Sequence, residues 1–388
     1  MFNKKISSLK ERNLFRTIRD RRSPQGSRIM LGEKEFINFA SNDYLGLSNN
    51  QDVMLAGLDA LKEYGSGSGA SRLLSGGTIL HRRLEEKIAL FKGAEDSLLF
   101  NSGYAANTGV IPAIAGKDDL ILSDELNHAS IIDGCRLSKA EIIIYRHRDA
   151  DHIKEIISKK SRLTSGKILI VTDSVFSMDG DIAPLKKIYN ICCELNSEGN
   201  KIRALLYIDD AHGTGVIGDG KGALRHFGIG NEKWIIQMGT FSKALGSFGA
   251  FIAGSSDVID WLRNNARTFI FSTALPASIA ASSLKALEIL EKDQRPIKRL
   301  WSNRERLIKG LSGLGFNLKE SETPIIPLIF DDIDKVLFLS RCLEEKGVYV
   351  PAIRPPTVKM PRLRITVTAS HTEDDIERLI EGLKTSLV

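Results

Sequence analysis

Apolar positions along the chain repeat with two different spacings, and the spacings alternate. Short apolar runs at 97–100, 120–123, 141–145, 168–172, 204–208, 234–238 and 250–253 read as strands. Helical spacing fills the gaps around 105–114, 131–137, 153–159 and 185–194. Strands that are apolar throughout and separated by helices predict a largely parallel sheet covered on both faces, an α/β fold. Upstream, 5–20 reads as a basic amphipathic helix, 35–40 as a short strand and 52–64 as a helix. Thr78 is placed to cap a further helix through Lys92, with Leu80, Leu84, Ile88 and Phe91 on one face. Downstream, 257–269 and 276–314 are helical in pattern. Strand, helix, strand and helix at 327–330, 331–346, 363–367 and 374–387 then predict a smaller α+β domain. The expected division is a basic arm and strand at 1–45 packing on the small domain, a large domain at 46–275, and a linker helix with the small C-terminal domain at 276–388.

Length and composition change this picture little. The 388 residues exceed one typical core and suit two lobes. No apolar run approaches the ~20 residues that span a bilayer, and the N-terminus lacks the apolar centre of a signal peptide. Cys135, Cys192, Cys193 and Cys342 have no metal-ligand spacing, so no metal site is expected, and reduced thiols in a cytoplasm are. Charge is uneven: residues 1–34 hold ten Lys/Arg and three Asp/Glu, a net +7 within a chain of net +6. No aromatic platform accompanies that arm, which argues against nucleic-acid binding. A solvated helix, or a guide for a polyanionic substrate such as a coenzyme A thioester or an acidic carrier protein, remains.

Chemistry concentrates at the ends of the strands. The stretch Thr-Phe-Ser-Lys-Ala-Leu-Gly-Ser-Phe-Gly at 240–249 surrounds Lys243 with small residues and no charge. Room around one amine suits a bulky flat aldehyde held as a Schiff base, with pyridoxal phosphate the obvious one; a glycine- and serine-rich loop with a chance lysine is the plainer alternative. Tyr-Ile-Asp-Asp-Ala-His at 207–212 leaves Asp209 and His212 at the carboxyl end of a strand, where open α/β sheets bind ligands. A carboxylate there suits a pyridinium nitrogen, and His212 the ring's phenolic oxygen; a strand-end capping turn would look similar. Asn-Ser-Gly-Tyr-Ala-Ala-Asn at 101–107 passes from strand to helix, so it is either a phosphate cradle or an ordinary cap. His128 and Ser177 follow two further strands and face the same edge, His128 as a stacking or a capping residue.

Two phosphate-loop look-alikes are set aside. Gly-Thr-Gly-Val-Ile-Gly at 213–218 follows Asp209 and Asp210, whose charge opposes a pyrophosphate, and it opens no helix. Gly215 to Lys221 lacks the Ser/Thr that would ligate magnesium. No G-x-S-x-G elbow supports a serine hydrolase.

Taken together these stretches resemble the α-oxoamine synthases, fold-type I pyridoxal-phosphate transferases, over about 41–371. The landmarks are 41–47, 65–77, 127–130, 173–181, 209–215, 240–249 and 271–276. The resemblance implies decarboxylative joining of an amino acid to an acyl thioester, with Lys243 as cofactor anchor and proton carrier. It implies that Asp209 pairs with the pyridinium, His212 with the phenolic oxygen, and His128 stacks on the ring beside Ser177. Ser102, Gly103, Tyr104 and Thr240 would hold the phosphate, and Ser272 and Thr273 would reach a phosphate across a homodimer interface. Arg364 would clamp the amino-acid carboxylate, Asn42 and Thr357 would touch substrate, and Arg21 or Arg22 would bind a distal carboxylate. Ile-Arg-Pro-Pro-Thr-Val at 353–358 and Arg-Leu-Arg-Ile-Thr-Val at 362–367 resemble the branch that joins L-alanine to a pimeloyl thioester, on coenzyme A or an acyl carrier protein, for biotin synthesis. A sibling branch takes glycine or serine. Lys-Met-Pro at 359–361 is shorter than the link usual in the alanine branch.

Overall fold

The structure is a computed structural model that describes residues 2–160, 166–199, 203–318 and 320–387. Its described residues form thirteen strands. In chain order they are β1 (Arg28–Leu31), β2 (Lys34–Asn38), β3 (Asp96–Phe100), β4 (Leu120–Asp124), β5 (Glu141–Tyr145), β6 (Ile168–Asp173) and β7 (Ala204–Asp209). There follow β8 (Ile235–Thr240), β9 (Ala250–Gly254), β10 (Ile325–Ile329), β11 (Val348–Tyr349), β12 (Ala352–Ile353) and β13 (Arg362–Thr366). Two compact units result, one of residues 50–176 and 182–294, the other of 1–49, 177–181 and 295–388.

The larger unit holds a seven-stranded sheet in the order β3-β9-β8-β7-β6-β4-β5. All neighbours are parallel except β9, which runs antiparallel to β3 and β8. Strands β6, β8 and β9 are buried along their whole length, as runs apolar on both faces require. Ile121, Leu169, Val171, Tyr207, Ile236 and Ile252 face one apolar layer shared with helix Gly103–Ile114, through Ala106, Val110 and Ile111. The pairing aligns Asp173 with Asp209 and Asp209 with Met238, which brings three strand ends level at one edge.

The discontinuous unit carries two three-stranded sheets, β1-β2-β11 and β10-β13-β12. Its buried His371 stacks on Phe39 with ring centroids 4.2 Å apart and planes 5° from parallel. Thr368 N–H donates to His371 Nδ1 at 2.9 Å, leaving Nε2 to donate to the Asn38 carbonyl at 3.2 Å.

Four expectations are corrected. The expected helix at 5–20 spans only Phe2–Glu11, because Asn13 turns left-handed at φ 55° and closes it. None of that helix is buried, the solvated face that the charge run predicted. The helical stretch at 276–314 is two helices, Ala277–Lys292 and Arg295–Gly313, since Pro296 starts a helix but cannot continue one. The domain boundary expected at 275 therefore falls at 294: the first of these helices packs on Gln51–Tyr64, where Ser282 Oγ donates to the Val53 carbonyl at 3.1 Å. Residues 177–181, expected in the large domain, belong to the discontinuous unit, where Thr323 Oγ1 donates to the Gly180 carbonyl at 2.9 Å.

Burial holds the His371 imidazole down at about 4, against 6.5 for the free group. A base whose folded pKa is depressed keeps its stabilising contribution above the unfolded value and loses it as pH falls toward the folded one. Between pH 7 and 5 the native chain is expected to lose about 2 kcal/mol through this group. Urea unfolding at the two pH values checks it, and His371→Gln is expected to flatten that part of the dependence.

Candidate active site

At the level edge of the sheet, the larger unit encloses a cavity of about 130 Å³. Among its walls are Gly103, Tyr104, His128, Asp209, His212, Thr240 and Lys243, seven residues singled out from the sequence. Each arrives for a local reason. Asp209 ends β7 and His212 follows in the turn. Thr240 ends β8, and Lys243 sits in a tight loop closed by Ser247 N–H on the Phe241 carbonyl at 2.8 Å and Gly246 N–H on the Lys243 carbonyl at 2.9 Å. Gly246 is left-handed at φ 60°, and a Cβ on Gly249, at φ 96°, would meet Leu275 at 2.9 Å, so the small residues serve the turn as well as the space around the amine.

Ser102 is the N-cap of helix Gly103–Ile114, its Oγ accepting from Ala105 N–H at 3.1 Å. The cap and the cradle are thus one feature. Capping by Ser102 leaves the first-turn N–H groups of Gly103 and Tyr104 at the cavity, where the helix dipole favours an anion. A Cβ on Gly103 would lie 2.9 Å from Thr240 Cγ2, so glycine keeps that corner open. Thr240 Oγ1 is buried there and has no hydrogen-bond partner among the described residues. The Tyr104 hydroxyl turns away to donate to Asp133, half-exposed. His128 both caps helix Ala129–Leu137 and lines the cavity.

Electrostatics centre on Asp209. Burial pushes its carboxyl above the usual range, while the Lys243 charge and the donating Asn107 amide hold it down. Asp173, level with it on β6, is pushed well up by burial and then by the Asp209 charge. Burial lowers the His128 imidazole, which keeps it neutral. One shielded carboxylate facing an amine, a neutral imidazole and an anion-binding helix end with an unpartnered hydroxyl form a donor set that fits pyridoxal phosphate. Ser130, Asp173, Ala211, Met238 and Ser242 also line this cavity and were not singled out. Asp173 and Ser130 lay inside motifs that were noticed, and the pairing of Asp173 with Asp209 is what reveals the first.

The remaining candidates lie elsewhere. Ser272 and Thr273 line a separate small hollow with Arg72, His81 and Asn101, whose amide donates to the Thr273 carbonyl at 2.9 Å. In the discontinuous unit, Arg364 is buried, donating to the Ser177 carbonyl at 2.6 Å, Thr366 Oγ1 at 2.8 Å and Asn42 Oδ1 at 3.1 Å. Tyr44 also bonds it, and burial pulls its pKa down. None of these partners is a carboxylate, so a buried guanidinium keeps an unmet demand for an anion. Arg21 donates to the Ser23 carbonyl and Arg22 reaches Glu33 at 3.9 Å, both exposed. It is Arg16 that donates to Thr357 Oγ1, at 3.0 Å, close to Arg354. Among several arginines in the arm, only the fold distinguishes this one.

The rejected glycine loop has a different occupant. Asp210 accepts from Lys92 Nζ at 2.7 Å, Ser174 Oγ at 2.7 Å and Thr214 Oγ1 at 3.0 Å. A Cβ on Gly213 or Gly222 would strike Asp210 at 2.1 Å or 1.8 Å, so the glycines wrap a carboxylate of the chain itself.

The aminotransferase class I and II family matches residues 34–383. A protein of Thermodesulfovibrio yellowstonii named as an 8-amino-7-oxononanoate synthase is 55% identical, covering 99% of this chain and 96% of that one. The 8-amino-7-oxononanoate synthase of Geotalea daltonii is 46% identical, covering 98% and 96%. Among solved structures, serine palmitoyltransferase of S. paucimobilis, with PLP and myriocin bound, is similar at a TM-score of 0.90 and 28% identity, covering 99% of this chain and 97% of that one.

Lys92 and Asp210 are 0% and 1% exposed, so removing either charge strands the other. Lys92→Met is expected to cost about 3–5 kcal/mol in urea unfolding, and Lys92→Met with Asp210→Leu to recover most of it.

Proposed function

Since the chain belongs to the aminotransferase class I and II family, in its α-oxoamine synthase branch, we propose that it condenses L-alanine with a pimeloyl thioester to give 8-amino-7-oxononanoate, carbon dioxide and free thiol, in biotin synthesis. The observation that carries the reading is the meeting of Lys243, Asp209, His128 and the unpartnered Thr240 hydroxyl in one cavity, in a chain 55% identical to a protein of that name. Structural likeness to a serine palmitoyltransferase supports the shared chemistry and keeps a serine- or glycine-using sibling as the second reading.

Pyridoxal phosphate, when bound, supplies an aldehyde for the amine and a ring that accepts the electron pair released at the amino acid's Cα. Lys243 Nζ would anchor it and, once the amino acid's amine had displaced it, would carry the proton from and back to Cα. Asp209, whose upward shift by burial is offset in part by the Asn107 amide, would pair with the ring nitrogen and keep a proton there, and His212 would donate to the phenolic oxygen. His128 would cover one face of the ring and keep water from it. The N–H groups of Gly103 and Tyr104, with Ser102 as cap and Thr240 Oγ1, bind the phosphate. Arg364 takes the alanine carboxylate, which answers its unmet demand, and Asn42 orients it. Arg16 beside Thr357 takes the distal carboxylate of the pimeloyl chain.

The protein works as a cytoplasmic homodimer on this reading. No helix among the described residues is long and apolar enough to cross a membrane. Leu74 and Phe271, 80% and 71% exposed, flank the paired residues Ser71 and Thr273, an apolar margin that a second copy would cover while Ser272 and Thr273 reach its phosphate.

Borohydride reduction of the loaded protein is expected to fix the cofactor on Lys243, read by peptide mass. Release of coenzyme A from pimeloyl-CoA is expected with alanine and not with glycine or serine; the reverse preference would transfer the assignment to the sibling. Pimeloyl-carrier protein in parallel identifies the donor. Arg364→Lys is expected to raise KM for the amino acid about tenfold or more. Arg16→Ala is expected to raise KM for pimeloyl-CoA but not for heptanoyl-CoA, which lacks the distal carboxylate.

A further inference from the structure

Asn107 lies on helix Gly103–Ile114, is fully buried, and makes three side-chain hydrogen bonds. Its Oδ1 accepts from the Tyr207 hydroxyl at 2.7 Å. Its Nδ2 donates to Asp209 Oδ2 at 2.8 Å and to Ser130 Oγ at 2.8 Å. Ser130 Oγ in turn lies 2.7 Å from His128 Nδ1, which also faces Ser130 N–H at 3.3 Å.

Donor and acceptor counting gives this chain a direction. The Asp209 carboxylate, which only accepts, excludes the flipped amide, and the Tyr207 hydroxyl then donates to the oxygen that remains. With the amide so oriented, Ser130 Oγ accepts from Asn107 and turns its own proton to His128 Nδ1. The ring nitrogen that accepts this proton, and the Ser130 N–H besides, cannot carry one of its own. The neutral imidazole then has its proton on Nε2.

We infer that Asn107 is a positioning residue of the active site, whose single amide fixes the Asp209 carboxylate and, through Ser130, the Nε2–H tautomer of His128. Tyr207 satisfies the amide's oxygen and so belongs to the same device. The inference rests on the proposed function only in taking Asp209 and His128 as the residues that meet the cofactor. It links the group under the ring nitrogen to the group on the ring face through one amide. The charged and titratable groups that face Asp209 are Lys243 after β8, Asp173 at the end of β6, His128 before helix Ala129–Leu137, and Tyr207 on β7 itself. Asn107 and the Ala211 N–H, which meets Oδ1 at 3.1 Å, are the neutral donors to the Asp209 carboxylate, and losing the Asn107 amide moves the Asp209 pKa upward.

The test uses ¹⁵N-histidine-labelled protein, with and without pyridoxal 5'-phosphate, the His128 signals being assigned by their loss in His128→Gln. Wild type is expected to show an unprotonated Nδ1 and a protonated Nε2. Ser130→Ala, which leaves only the longer Ser130 N–H contact to Nδ1, and Asn107→Leu, which no longer directs the Ser130 hydroxyl, are expected to raise the share of the Nδ1–H tautomer measurably. Independently, the Kd for pyridoxal 5'-phosphate is measured by dialysis across pH in the Lys243→Ala background, so that only non-covalent binding is read. There Asn107→Leu is expected to raise by about one unit the pH below which affinity falls, a tenfold weakening at a fixed acidic pH. Tyr207→Phe is expected to move it the same way by less.

An unchanged His128 tautomer in Ser130→Ala, or an unmoved pH midpoint in a folded Asn107 variant, overturns the inference and leaves Asn107 a packing residue. If Asn107→Leu does not fold, Ser130→Ala and Tyr207→Phe decide it by the same two readouts. Wild-type protein that binds the cofactor but prefers glycine or serine, with both shifts present, supports the inference while overturning the alanine assignment.

Discussion

The ion pair between Lys92 and Asp210 is the constraint from which the active site hangs. It is wholly enclosed, and such a pair persists only where every remaining donor and acceptor is met, as Ser174, Thr214 and the Lys221 carbonyl do here. Asp210 stands immediately after Asp209, and its N–H continues the ladder to the Met238 carbonyl at 2.7 Å. Two successive carboxylates at the end of one strand therefore have opposite tasks. The second is tied into the protein, and that tie holds the first in the cavity.

The division explains why a glycine-rich turn follows β7 without serving a nucleotide. Gly213 and Gly222 bring backbone against Asp210 more closely than any side chain would allow, and Ala223 N–H closes on it at 3.2 Å. Anion recognition by a glycine loop has been turned inward. The anion recognised is part of the chain.

How much of this was readable beforehand follows from the range of the interactions concerned. The alternation of buried strands and helices is local and was legible, as was the gathering of Lys243, Asp209 and Gly103 at one edge of the sheet, because each stands in a short stretch next to a strand end. The end of the first helix was not, since it depends on Asn13 turning left-handed, which several residue types in that stretch could have done. Asn107 read as the tail of a cap, because its three partners lie 23 to 102 positions away in sequence. Arg16 could not be told from its neighbours in the arm, as only the approach of Thr357, 341 positions on, distinguishes it. Periodicity predicted the sheet; the pairing of side chains across it had to be seen.

The sheet β1-β2-β11 has a consequence for how the chain is made. Ile37 pairs with Val348, and Asn38 with Tyr349, so β2 lacks one edge partner until the ribosome has passed residue 349. The larger unit, by contrast, is complete in sequence at residue 294. Closing so long a loop costs entropy that local contacts cannot offset early. A strand made more than 300 residues before its partner is thus among the last to be seated, and during that interval its unpaired edge is open to wrong partners.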